Sequence, residues 1–338
     1  MLSALFLLHA CSLSDGDTPY ASASAEGDSG ADSGSADTDT DTDDVVDADP
    51  SAWTDPAYWD APGPLSSLIL PETVDASPHW EVRIAVSPDG ATWVADDRVV
   101  MQGMSGLSMA AMADRIILTG NVDAGQAAAH DITLDNGSIY AISSFDLTTW
   151  TSTAWPVTAA TRAHVVDPML AYDLNGAPRA VWFGSDQLTG NPADFPGFHE
   201  LYLGSWDGTG FAEDLQAWTA ETLTDPAMCR LDDQLWLFAT NEASTILTLN
   251  AGIDGAWELI EDRTWEGAVS PSCIEQEGSI GLIASVDGAP KIRDLYSDAT
   301  LAHVDQLVPA ALFGSECVSP TLAAYGTGWV FACSIWVD

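Results

Sequence analysis

Two carboxylates recur in one local setting, Val166-Asp167-Pro168 and Thr224-Asp225-Pro226. A pair of carboxyl groups does acid and base work when one is kept protonated and the other ionised. An Asp before Pro at the start of a strand has a plainer use, capping a loop by accepting from backbone N–H groups. Both uses are open for Asp167 and Asp225 as candidate catalytic residues. Around them Arg162, His164, Asp186, His199, Asn241, Glu242, Glu266 and Glu316, with Asn121 and His130, put charge and hydrogen-bonding capacity into loops and are candidate ligand-binding residues. No Cys-x-x-Cys, Cys/His cluster, His-Glu-x-x-His, Gly-x-Ser-x-Gly or phosphate loop is present, so no metal site is indicated beyond a loosely held Ca²⁺ on an acidic face.

The elements that must position these residues are set by an internal repeat. Five segments share one plan: a small or acidic residue, usually followed by Pro, then a short apolar stretch, a turn, and a run of β-formers. They begin at Ser108, Asp167, Asp225, Ser270 and Ser319 and lead to the runs at Arg115–Gly120, Arg179–Gly184, Gln234–Ala239, Ser279–Ala284 and Gly328–Cys333. The spacings suit four short antiparallel strands with their loops, and helical periodicity is nowhere sustained. Ser108 is the expected counterpart of Asp167 in the first repeat.

A second repeat lies between these. Ser87-Pro-Asp89-Gly90-Ala-Thr92-Trp93 and Ser144-Phe-Asp146-Leu-Thr-Thr149-Trp150 fit Ser-x-Asp-x-x-Thr-Trp, with weaker copies at Asp207 and Asp254. They resemble the Asp-box of neuraminidase-like propellers, which implies a structural turn on the side opposite an active site. The first copy, with Glu81–Val86 before it and Arg98–Gln102 after it, precedes the first full repeat. The chain from Ser319 to Trp336 supplies only the first half of a unit. Together they complete a fifth blade. The expected fold is therefore all-β, a five-bladed β-propeller closed by N- and C-terminal strands in one blade, in preference to six blades or a sandwich.

Five-bladed domains with Asp-Pro near the axis resemble the arabinanase, xylosidase and invertase group of glycoside hydrolases. The resemblance implies an Asp on the first blade, an Asp on the second and a Glu on the third. Asp167 matches the second. Ser108 and Asp225 stand where the first Asp and the Glu belong, so the set is altered. Glycoside cleavage needs two carboxyl groups about 5 Å apart for retention or about 6.5 to 9.5 Å for inversion. The alternatives are glycan binding without chemistry, hydrolysis from an altered carboxylate set, and an envelope scaffold that binds Ca²⁺ or a protein. Sialidase chemistry is disfavoured, because Arg83-Ile84-Ala85 breaks that family's Arg-Ile-Pro motif. Trp265 is a candidate for stacking on a sugar ring.

Charge narrows the partners. The 338 residues carry 51 acidic and 9 basic side chains, a formal charge of −42, with no Lys or Arg before Arg83. Such a surface repels nucleic acid. The start, Met1 to Ala10, is an apolar stretch too short to span a bilayer. Leu8, Ala10 and Cys11 resemble a bacterial lipobox, which implies lipidation of Cys11 and an outer-membrane anchor, periplasmic or at the cell surface. The expected division is a signal peptide over 1–10, an acidic disordered tether over 11–52 and the propeller over 53–338, a monomer. Cys229, Cys273, Cys317 and Cys333 then permit two disulfides in any of three pairings.

Overall fold

A continuous apolar run needs cover on both faces of its strand. Ile116–Leu118, Ala180–Phe183, Trp236–Ala239, Ile280–Ala284 and Val330–Cys333 receive it. The computed structural model describes residues 59–69, 78–112, 114–185, 200–218, 223–232, 234–251, 257–260, 263–276, 278–296, 301–307, 312–313 and 317–338, and all five runs are buried in it. The expected leader and tether, with Cys11, lie outside the described residues.

Most of the described chain is strand. In order come β1 (His79–Ser87), β2 (Val94–Ala95) and β3 (Met101–Gln102), then a first complete group of β4 (Met104–Met112), β5 (Arg115–Val122), β6 (Ser138–Ser144) and β7 (Thr151–Thr158). A second group is β8 (His164–Tyr172), β9 (Pro178–Ser185), β10 (Glu200–Trp206) and β11 (Phe211–Trp218). A third is β12 (Leu223–Leu231), β13 (Gln234–Asn241), β14 (Thr245–Ala251), β15 (Trp257–Leu259) and β16 (Trp265–Glu266). A fourth is β17 (Ala268–Gln276), β18 (Ser279–Val286), β19 (Ala289–Tyr296) and β20 (Leu301–Leu307), and the chain ends with β21 (Val318–Tyr325) and β22 (Gly328–Val337). One six-residue helix, α1 (Ala124–Ala129), is capped by the side chain of Asp123. It is too short to leave a periodic signal in the sequence.

Strands from both ends share one sheet. β1 pairs antiparallel with β22 from His79↔Val337 to Ser87↔Trp329, giving the order β2-β1-β22-β21. A short parallel pairing of β7 with β11, at Val157↔Phe211 and Thr158↔Ala212, joins the first two groups into one eight-stranded sheet. The first strands pack in a cycle: β4 on β8, β8 on β12, β12 on β17, β17 on β21 and β21 on β4. Each of these strands is the edge of its own sheet, and the cycle packs those edges against their neighbours, where open ones would invite association.

Each of those five strands carries the same irregularity. The register breaks between Ser105 and Ser108, Val166 and Met169, Thr224 and Ala227, Val269 and Ser272, and Val318 and Thr321. The first residue inside each break is left-handed: Gly106 at φ +60°, Asp167 at 47°, Asp225 at 48°, Ser270 at 53° and Ser319 at 53°. These are β-bulges with an αL first residue. Pro follows in four of them, where a missing N–H removes no ladder bond. The bulges correct the sequence register. The counterpart of Asp167 in the first group is Gly106, and Ser108 matches Met169, two residues further along.

At the other end, tight turns join third and fourth strands. Asp89 Oδ1 accepts from the backbone N–H of Ala91 (2.9 Å) and Thr92 (2.7 Å), and Asp146 Oδ1 accepts from Thr148 (2.8 Å) and Thr149 (2.7 Å) in the same way. Trp93 then packs edge-on against Phe331 of β22, ring centroids 6.0 Å apart. The cysteines pair as Cys229–Cys273, which ties β12 to β17, and Cys317–Cys333, which ties the lead-in of β21 to β22. On loop length alone these contribute about 4 and about 3 kcal/mol. Before β1, the segment from Trp59 docks on β7. Trp59 is buried against Trp155 at 5.2 Å, and Leu65 N–H donates to Ser152 Oγ at 3.1 Å.

Candidate functional site

The five bulges meet at one end of the cycle of first strands. Gly106, Leu107, Ser108, Asp167, Asp225, Pro226, Ser270, Pro271 and Ser319 line a well of about 10 Å³. That is the room of one water molecule, so anything larger must sit above the well. Asp167 and Asp225 are half-buried at its mouth and hydrogen-bonded to each other side chain to side chain. Two anions in that contact would repel, which disfavours ionising both at once. Burial, followed by the charge of Asp225, raises Asp167 well above the usual carboxyl range. Burial also raises Asp225, opposed by hydrogen bonds from Asp167, Thr224, Thr240 and Ser270.

The pair is clamped from both sides. Asn121 at the end of β5 accepts from Asp167 N–H through Oδ1 (2.8 Å) and donates from Nδ2 to Asp167 Oδ1. Asp167 in turn accepts the backbone N–H of Asp225. Thr224 Oγ1 donates to Asp225 Oδ2 at 3.2 Å, and Thr240 Oγ1 accepts from Ser270 N–H at 3.1 Å. Register explains the pattern. Asn121, Phe183, Thr240, Ser285 and Ser334 occupy one second-strand position, each opposite the residue before a bulge or its counterpart. Four of them reach the backbone of the next group: Asn121 to Asp167, Thr240 to Ser270, Ser285 to Cys317 O at 3.4 Å and Ser334 to Met104 O at 3.3 Å. Phe183 has no polar atom for this, and at its junction the carboxyl of Asp167 takes the N–H of Asp225 instead.

Gly106 accounts for the missing first carboxylate. A Cβ there would collide with the Asp167 carboxyl and the Asn121 amide, and its φ is +60°. Asp167 and an acidic side chain at position 106 therefore exclude each other in this arrangement. Side chains in direct hydrogen bond also lie closer than the separations that glycoside cleavage requires of two opposed carboxyl groups. Asp167 and Asp225 therefore meet side chain to side chain rather than facing each other across a gap.

No family model and no curated protein matches the sequence. Solved structures do match. An exo-β-1,3-galactanase from Phanerochaete chrysosporium, solved with β-1,3-galactotriose, aligns at 13% identity over 75% of this chain and 64% of its own, with a TM-score of 0.50. The fold is a β-propeller. An exo-β-1,3-galactanase from Clostridium thermocellum aligns at 12% identity over 75% of this chain and 62% of that one, TM-score 0.49. A sialidase from Trypanosoma rangeli aligns at 12% identity over 70% and 45%, TM-score 0.42. The chain spans less than two thirds of the length of each of these proteins.

The remaining predicted residues distribute unevenly over the propeller. Arg162 and His164 lie at the start of β8, on the side of the mouth. Arg162 donates from Nε (3.0 Å) and Nη2 (2.8 Å) to Glu200 Oε2, which also receives the Tyr202 hydroxyl. Glu200 and Tyr202 were missed from sequence. The only signal was Gly184 on the neighbouring strand, where a Cβ would meet Tyr202 and Arg162. Asn241 closes its own turn, accepting from Ala243 and Thr245 N–H at 3.0 Å each. Glu242 and Glu266 are exposed. Trp265 is buried beneath the Arg293 guanidinium, 4.2 Å from its ring centroid, so its face is already covered and the expected sugar stacking is withdrawn. Asp186, His199 and Glu316 lie outside the described residues. Among the described residues, no group of three or more His, Cys, Asp or Glu is arranged to hold a metal ion.

Proposed function

We propose that this chain is a carbohydrate-active propeller of five blades, of glycoside hydrolase type, with the proton-sharing Asp167–Asp225 pair as its acid centre. The single observation that carries the reading is that pair: two carboxyl groups in side-chain contact lining the well at the mouth, with the Asp167 backbone held in αL geometry by Asn121. The cycle of five first strands and the Asp-box-like turns at Asp89 and Asp146 support the blade count. Carbohydrate as the substrate class is supported by the galactanases that share the fold.

In this reading the pair delivers its proton to the leaving glycosidic oxygen and is left as a charged dyad, recharged from solvent. A carboxylate on the opposite face must activate water. Glu200, at the start of β10 and oriented by Arg162 and Tyr202, is the described candidate for that role. Gly106 favours a second reading, in which the mouth binds glycan without cleaving it.

We also propose that the chain is exported and lipid-anchored through Cys11, which suits a disulfide-bonded domain. The test of activity is release of reducing sugar from neutral oligosaccharides by the wild type, Asp167→Asn and Asp225→Asn. Product lost at least 100-fold in both folded variants supports hydrolysis. Binding without product moves the function to recognition, and neither binding nor product refutes the carbohydrate reading.

A further inference from the structure

Among the tryptophans whose side chains are described, Trp336 alone is exposed, at 45%. It is not loose. Its Nε1–H donates to Asp338 Oδ1 at 3.0 Å, and its ring meets that of Trp80 at 5.1 Å and 66°, edge to face. Trp80 and Trp336 are directly opposite each other across the β1–β22 pairing, so both project from the same face of the sheet. Burying both indoles would remove a large apolar area from water, yet the hydrogen bond and the ring contact hold Trp336 outward.

Position links this pair to the mouth. Ser334, two residues before Trp336, pairs with Val318, the neighbour of the bulge residue Ser319. Ser334 Oγ reaches Met104 O, at the junction with the group that carries Gly106. Alternation along the strand puts Trp336 on the same side as Ser334, about 6.7 Å further out. The indoles therefore lie at the end of β22 nearer the mouth, beside the junction whose bulge residue has no side chain.

We propose that Trp80 and Trp336 form a stacking platform for the apolar face of a neutral pyranose, a subsite of the carbohydrate site; the inference rests on that carbohydrate reading. A flat ring with one C–H face and hydroxyl edges matches an exposed indole beside a carboxylate, that of Asp338. From residue 61 onward 37 acidic side chains stand against 9 basic ones, a balance that selects against uronic acids and sialic acids and favours neutral sugars.

The experiment is a titration of the full chain with β-1,3-galactotriose and with cellotetraose, read by tryptophan fluorescence and calorimetry, with choline chloride as the cationic control. Wild type is expected to bind a neutral oligosaccharide with a fluorescence change, Trp336→Ala to weaken it about tenfold, and Trp336→Phe to retain most of it. Binding unaffected by Trp336→Ala, a response to choline alone, or no binding of either sugar overturns the platform. Loss of turnover without loss of the Trp336-dependent signal, or the reverse, separates failure of the catalytic reading from failure of the platform.

Discussion

At the scale of single residues the account turns on Gly106, Asn121, Asp167 and Asp225. A Cβ at position 106 meets both strain at φ +60° and the Asp167 carboxyl. Gly106→Ala is expected to lower stability by about 1 to 3 kcal/mol, measured by urea denaturation. The pair also predicts a pH effect of definite sign. Because the folded state raises the pKa of Asp167, it binds the proton more tightly than the unfolded chain does. That contribution is fully present below the ordinary carboxyl value of about 4 and declines as pH rises toward the folded value. The melting temperature of the wild type should therefore fall across that range, and Asp167→Asn, which keeps its neutral form, should flatten the decline. Identical slopes in the two proteins would contradict a shared proton. Little of this was legible in advance. Asp167 and Asp225 stood out by their Pro neighbours, but their contact spans 58 positions and depends on two bulges. The first-group counterpart was misplaced at Ser108, because Gly106-Leu107 lacks the Pro that marks the other four.

At the scale of elements, the strands were legible and the irregularities were not. Ile-Ile-Leu in β5 and Leu-Trp-Leu-Phe in β13 announce strands covered on both faces, whatever the loops do. A bulge leaves no such trace, since it changes partner and direction without changing hydrophobicity. The polar second-strand position of Asn121, Thr240, Ser285 and Ser334 becomes visible only once register is known. The Asp89 turn was readable, because one short acceptor facing successive N–H groups is a local device. Those bonds hold the Asp89 carboxyl at about 2. Its stabilising effect is present above the unfolded value near 4 and is lost as pH falls through about 2. Asp89→Asn is expected to remove part of the acid limb of the stability profile between those limits, checked by thermal melts in acid. An unchanged acid limb would mean that the turn forms without the charge.

At the scale of the whole molecule, closure is the device on which the site depends. β1 and β22 come from opposite ends of the described domain, yet pair along their full length and complete the cycle that brings Ser319 beside Gly106. Removing 328–338 is expected to abolish cooperative unfolding and binding together, because the loss exposes the long edge of β1 and opens the mouth. A folded, cooperative truncation would show that the groups stand independently.

The most direct measurement is hydrolysis of neutral oligosaccharides across pH 4 to 9 by the wild type and by Asp167→Asn and Asp225→Asn. Turnover by the wild type is expected to fall on the alkaline side as the shared proton is lost, and both folded variants are expected to lose it. Turnover that survives both substitutions, or a wild type that neither binds nor cleaves any neutral sugar, would contradict this expectation.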